Sequence, residues 1–359
     1  MTDADRDFLF DLLSTPSPTG FETPGQKKWA GYVGGFADRV EADPYGNVWA
    51  TLDGPDSGPT VMLEAHADEI GFMVKYVTDD GFIHVDRIGG SDWAIARGKR
   101  VRILGAKGPV LAVVGNTAIH LRDRKDDEKA PKLEELFLDI GASSKTEVAE
   151  RGIRVGHPAV YAESVEALTD KRLIGRALDN RLGGFVVAQA LKGLAASKEK
   201  RQRTVVGVNA VQEEIGGNGA KMVAYRLDPD LALVLDVTHA TDSPGIPKAK
   251  HGEVTLGGGP SITHGTVNHP KVVERLIEVA EQEKIPLQHE ASSRYSGTDT
   301  DVIFHTKSGI PSALISIPMR YMHSTVETVD LGDVEHAIRL MTAFARSITA
   351  DDAFRADIL

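Results

Sequence analysis

Five short stretches carry the side chains able to do chemistry, and each sits where a strand-like or helix-like run meets a loop. In VMLEAHADEIG an apolar run delivers His66 and, two residues later, Asp68. Residues i and i+2 of extended chain share a face. His66 could therefore bind a metal through one ring nitrogen while Asp68 accepts a hydrogen bond from the other, although H-x-D alone is also ordinary loop content. In GRALDNRLGG, Asp179 precedes a helix-like run, either as a helix N-cap or as a carboxylate bridging two metals. In VVGVNAVQEEIGGNGA, Glu213 and Glu214 follow an apolar strand. Two adjacent carboxylates are costly to bury without a cation; one would bind metal and the other would accept a proton from water, unless the pair is an exposed acidic turn. Asp236 is the lone charge ending LALVLDV, a ligand or a cap for the next turn. In SIPMRYMHSTVET, His323 follows a strand, with Ser324, Thr325 and Glu327 near enough in sequence to orient it.

Singly these signals are weak. Together they place two His, two Asp and a Glu at successive strand ends, with a spare Glu beside them, and such N/O donors suit a pair of hard or borderline divalent ions. Three ligand carboxylates against two divalent ions leave one positive charge, which a bridging hydroxide would match. The chain has no cysteine, so thiolate ligands and disulfides are excluded and a reducing, cytoplasmic location is expected.

Positioning such groups requires strands that end together. Residues 5–13 have helical spacing, Thr15–Gly20 reads as a loop, and 23–38 as a second helix. Strands are expected at Asn47–Leu52 and Thr60–Ala65. From about Ile70 to Ser164 the texture changes to short β-like runs such as FMVKYV, RVRIL and VLAVV, the pattern of a small barrel or sandwich. A short helix near Ser144–Arg151 would be capped by Ser144 with Glu147, and the charged stretch Arg122–Glu135 reads as a solvated loop. From Ile174 onward the pattern alternates: helix at 182–196, strand at 203–211, helix at 216–226, strand at 231–237, helix at 269–284, strand at 312–317 and helix at 331–348. That alternation predicts an α/β sheet covered on both faces. The simplest division gives an α/β domain from residues 1–69 and 165–359, with a β domain of residues 70–164 inserted after the strand that ends at His66.

The set HADEIG, RALDNRLGG, QEEIGGNGA, LDVTHATDSPG, SGTDTD and RYMHSTVE, with DIGASS at 139–144, resembles the M42 family of metalloaminopeptidases, nearly end to end and in order. The resemblance implies a zinc-peptidase-like mixed sheet flanked by helices with an inserted small PDZ-like β-barrel. It implies one metal on His66 and Asp236, a second on Glu214 and His323, Asp179 bridging, Glu213 as general base and Asp68 orienting His66. It further implies two divalent ions per subunit, zinc first with cobalt or manganese as alternatives, and peptide substrates cut at the N-terminus through a metal-bridging water. A homo-oligomer is expected as well, a TET-type dodecamer built from dimers, with the inserted domain making contacts. Asn218 stands where members often carry a basic residue, and Thr241 where they often carry Gly; neither is a ligand position.

The formal net charge is −11 without a long basic block, which disfavours nucleic-acid partners. No apolar run is long enough to span a membrane. Rival readings are a dinuclear-metal deacylase or carboxypeptidase built on the same site logic, a metal-free glycosidase, and a structural particle with a vestigial site. For the substrate pocket, the expected contributors are Arg294–Thr300 and Tyr321–Met322, with Arg294, Arg320 and Lys250 as candidate partners of an acidic side chain. Backbone N–H groups of the Gly216–Gly217 turn are candidate substrate donors.

Overall fold

The computed structural model describes residues 1–121, 130–356 and 358. Its strands are β1 (Arg39–Ala42), β2 (Val48–Leu52), β3 (Thr60–His66), β4 (Gly71–Val77), β5 (Ile83–Ile88), β6 (Arg100–Gly105), β7 (Gly108–Gly115), β8 (Phe137–Asp139), β9 (Pro158–Tyr161), β10 (Glu166–Ala167), β11 (Arg172–Gly175), β12 (Thr204–Ala210), β13 (Leu231–His239), β14 (Ser261–Gly265), β15 (Gln288–Ser292), β16 (Ser312–Met319) and β17 (Glu327–Asp330). The helices are α1 (Asp3–Ser14), α2 (Thr23–Val33), α3 (Lys145–Glu150), α4 (Leu178–Ala195), α5 (Asn218–Leu227), α6 (Lys248–His251), α7 (Pro270–Glu283), α8 (Thr300–Ile303) and α9 (Leu331–Ser347).

Eight strands form one mixed sheet in the order β1-β2-β12-β3-β13-β16-β14-β15. Its centre, β12, β3, β13 and β16, is parallel. These strands are apolar on both faces because helices cover both. On one face α1, α2, α4, α7 and α9 bury Leu9, Trp29, Phe185, Leu276 and Phe344; on the other α5 and α8 bury Val223 and Ile303 against Trp49 and Met62. Parallel strands all present their carboxyl ends at one edge, which is where an open α/β sheet gathers its ligands.

Six strands, β4-β5-β8-β7-β6-β9, close into a small barrel around Phe72, Val85, Ile103 and Tyr161. Its chain leaves the main sheet after β3 and rejoins it at β12, passing first through a small three-stranded sheet β10-β11-β17, so the barrel begins directly beside the end of β3. The α/β sheet flanked by helices and the small closed barrel are as the sequence predicts. Ser144 caps α3 by accepting from Glu147 N, while the Glu147 carboxylate reaches back to Ser143 N, one residue short of a reciprocal box.

Three expectations shift. The second helix stops at Val33, where Gly34 and Gly35 loosen the turn, and an unpredicted strand β1 follows. Of the expected Arg122–Glu135 loop, residues 122–129 lie outside the described residues, and Leu133–Glu135 forms a 3-10 turn. The short strands β14, β15 and β17 were not expected. No helix among the described residues is long and apolar enough to cross a membrane.

Candidate metal centre

The strand ends converge as the spacing of the sequence suggests. His66 is the last residue of β3. Asp236 lies on the neighbouring parallel strand β13, two residues past the Val234–Glu64 pair, so both residues reach the same edge of the sheet. Glu213 and Glu214 lie in the turn between β12 and α5, and His323 in the loop between β16 and β17. Asp179 stands in the first turn of α4 with non-helical backbone and caps nothing; the Asp179–Asn180 peptide bond is cis.

Two triads result: His66, Asp179 and Asp236, and Asp179, Glu214 and His323, the ligand atoms of each within 4.8 Å of one another. Asp179 belongs to both and splits its oxygens between them. Its Oδ1 is 3.2 Å from His66 Nε2, and its Oδ2 is 3.4 Å from His323 Nε2. Asp236 Oδ1 lies 3.7 Å from His66 Nε2, and Glu214 Oε2 lies 3.5 Å from His323 Nε2. Glu213 Oε2 approaches His66 Nε2 to 3.8 Å without belonging to either triad.

The surrounding groups fix these side chains. Asp68 is fully buried, its Oδ1 3.3 Å from His66 Nδ1 at ion-pair distance without hydrogen-bond alignment. The same carboxylate accepts from Glu213 N at 3.0 Å, Glu214 N at 3.3 Å and Thr19 Oγ1 at 2.8 Å, so it holds the Glu–Glu turn as well as facing the imidazole. His323 Nδ1 faces the carbonyl of Gly90 at 3.2 Å, a contact supplied by the chain just after β5 of the barrel.

Burial dominates the electrostatics. It pushes Glu213 up to about 8 and lifts Glu214 and Asp236 well above the usual carboxylate range, with the neighbouring carboxylates adding to it. Burial opposes ionisation of Asp179 too, but His323 and His66 outweigh it and hold that carboxyl low. Against its burial, His66 is raised by Asp179 and Asp68. Beneath the site, Glu64 and Asp299 face each other with buried oxygens; burial raises Glu64 to about 8 and Asp299 well above its usual range. Glu214 Oε1 is buried with no hydrogen-bond partner. A buried cluster of imidazole and carboxylate donors, one oxygen of it unpaired, fits divalent cations, which remove the mutual repulsion.

A cavity of about 580 Å³ opens onto the cluster, lined by Asp179, Glu213, Glu214, Asp236 and His323 together with Gly90, His239, Ser296, Thr298, Asp301 and Met322. The expected 294–300 and 321–322 segments contribute Ser296, Gly297, Thr298 and Met322, but none of the basic candidates lines it. Arg320 is engaged by Asp242 at 2.7 Å through two N–H groups. The Gly216 and Gly217 N–H groups are not available to substrate, because both close a turn on the carbonyl of Glu213, at 2.7 and 3.1 Å. Sequence reading missed Gly90, Thr19 and the Glu64–Asp299 pair, since no local pattern ties them to the ligands. It named Glu327 only as a possible orienter of His323.

A mixed α/β sheet with two histidine–carboxylate triads sharing one aspartate at its strand ends is an arrangement that could hold divalent ions. The chain belongs to the M42 glutamyl aminopeptidase family, whose model matches residues 46–340, and it is a peptidase. It is 34% identical to the lysyl aminopeptidase of Pyrococcus furiosus over 352 residues, 97% of this chain and 99% of that protein. Among solved structures it resembles a TET aminopeptidase from a marine-sediment Thaumarchaeota archaeon, at 32% identity and TM-score 0.92, covering 97% of each chain. It also resembles the TET1 peptidase of Pyrococcus horikoshii, which can assemble into a tetrahedron or a large octahedral shell, at 28% identity and TM-score 0.84, covering 95% of this chain and 99% of that one.

Proposed function

We propose that this chain is a dinuclear-metal aminopeptidase. The observation that carries the proposal is Asp179, whose two oxygens face two different histidines, His66 and His323. His66 and Asp236 would hold one ion, Glu214 and His323 the other, with Asp179 bridging. Two divalent ions, zinc first and cobalt or manganese as alternatives, supply Lewis acidity toward the scissile carbonyl and toward water. Glu213 lines the cavity beside the triads without belonging to either, its Oε2 3.8 Å from His66 Nε2, where a carboxylate can serve as a general base. In this reading it takes the proton of the attacking water and passes it to the leaving amine. Asp68 keeps the His66 ring oriented and holds the turn that carries Glu213.

The likeness to TET peptidases supports a homo-oligomer, with a dodecamer built from dimers as the specific proposal and the barrel of residues 70–164 as the contact-making insert in an α/β domain of residues 1–69 and 165–359. A cytoplasmic location accords with the absence of cysteine. Glu213→Gln tests the base assignment: turnover of an aminoacyl-p-nitroanilide should drop by about 10² to 10⁴-fold while metal content stays at the parent level. Full activity in that variant removes Glu213 from the role.

A further inference from the structure

Glu327 opens β17 with 1% exposure. Its carboxylate is taken up by the main chain of two separate turns. Oε2 accepts the N–H of Leu178 at 2.9 Å and of Asp179 at 3.3 Å; Oε1 accepts the N–H of His323 at 3.0 Å. Both turns hold non-glycine residues in left-handed backbone, Ala177 with φ 59° and His323 with φ 61°. Such conformations are uncommon for residues with a Cβ and persist where the surroundings over-determine them. Glu327 also supplies what Asp179 does not, since the start of α4 has no N-cap side chain of its own and its first N–H groups turn to this carboxylate.

We propose that Glu327 is a positioning residue for the ion held between Asp179, Glu214 and His323. One carboxylate ties the turn bearing the shared ligand to the turn bearing the terminal histidine, fixing the distance between them. The proposal rests on the dinuclear reading above and adds to it a residue that touches neither ion nor substrate. Glutamine has nearly the same shape as glutamate but one acceptor oxygen fewer, so in Glu327→Gln an NH2 group must face an N–H in one of the two turns.

The test uses the full-length protein loaded with cobalt. Affinity is read by competition with a chelator, ligand geometry by the cobalt d–d absorption, and folding by far-UV circular dichroism and Tm. The expected result for E327Q is 10- to 100-fold weaker binding of one cobalt equivalent, a shifted d–d band and an unchanged far-UV spectrum. Parent-like affinity and d–d band beside a lowered Tm overturn the proposal, leaving Glu327 a structural role only. A parent protein that binds no cobalt overturns the dinuclear reading and this proposal with it, whereas a parent that binds two equivalents beside an unchanged variant overturns this proposal alone. If E327Q does not accumulate, Glu327→Asp is read the same way, since it keeps the charge but is one methylene too short to serve both turns.

Discussion

Gly90 touches the proposed metal centre without contributing a side chain, so adding one carbon there is a sharp perturbation. A Cβ built at Gly90 would stand 2.5 Å from both Cε1 and Nδ1 of His323. Ordinary contact begins near 3.4 Å, so in Gly90→Ala the ring must retreat by about 0.9 Å or the barrel must move away from it. The ring Nε2 now sits 3.4 Å from Asp179 Oδ2 and 3.5 Å from Glu214 Oε2. Metal–ligand distances hold to roughly ±0.2 Å, so a displacement several times larger removes His323 as an effective ligand. Misplacing a reacting group by about 1 Å costs on the order of 10²-fold in rate. The assay is turnover of an aminoacyl-p-nitroanilide together with metal content after dialysis. The expected result is a loss of about 100-fold with depleted metal, while Gly31→Ala, whose Cβ meets nothing within 4 Å, behaves as the parent. Parent-like turnover and metal content in Gly90→Ala would refute the claim that His323 is a ligand held in place by the barrel.

Further predictions concern stability, pH and substrate. Glu69 is buried between Arg176 and Arg181, with Arg181 Nη1 at 2.5 Å. Glu69→Gln leaves two buried guanidinium groups short of a counter-charge and should lower unfolding stability by about 3–5 kcal/mol, checked by denaturant titration; a loss under 1 kcal/mol contradicts this. Glu22 is buried, and burial together with the charge of Asp68 raises its pKa from 4.5 to about 7. Below pH 4.5 both native and unfolded states are protonated at this site; between 4.5 and 7 only the unfolded state ionises, so stability falls as pH rises, and above 7 the penalty is complete. Glu22→Gln, which keeps an acceptor for Gly20 N, should be neutral at pH 4 and stabilising by roughly 3 kcal/mol at pH 8 in the metal-free protein; a pH-independent difference contradicts this. The cavity lining contains Asp301 and neither lysine nor arginine. Glutamyl-p-nitroanilide should therefore be cleaved more slowly than leucyl or lysyl substrates by at least about fivefold, one like-charge contact being worth roughly 1 kcal/mol even in bulk water and more at a protein surface. Equal rates would show that the side chain is bound elsewhere.

The strands that lead to the candidate ligands were legible because β3, β12, β13 and β16 are buried on both faces and read as largely apolar runs. What escaped has a physical reason. β15 alternates between half-buried and exposed residues at the sheet edge, so it carries little hydrophobic signal. β17 is four residues long, and only its pairing with β11 makes it a strand. The approach of Gly90 to His323 and the clamp of Glu327 on Leu178 and Asp179 join segments far apart in sequence, and a backbone carbonyl leaves no trace in residue type. Asp179 illustrates the limit well. Its sequence position suits an N-cap, and only the folded chain shows its carboxylate facing two histidines while Glu327 meets the first N–H groups of the helix.

The central claim, a pair of divalent ions bridged by Asp179, is tested most directly by titrating metal into chelated protein while following hydrolysis of leucyl-p-nitroanilide. No turnover is expected in the chelated protein, with a rise that levels off at two equivalents per chain. Full turnover in the presence of chelator, or a plateau at one equivalent, would contradict it.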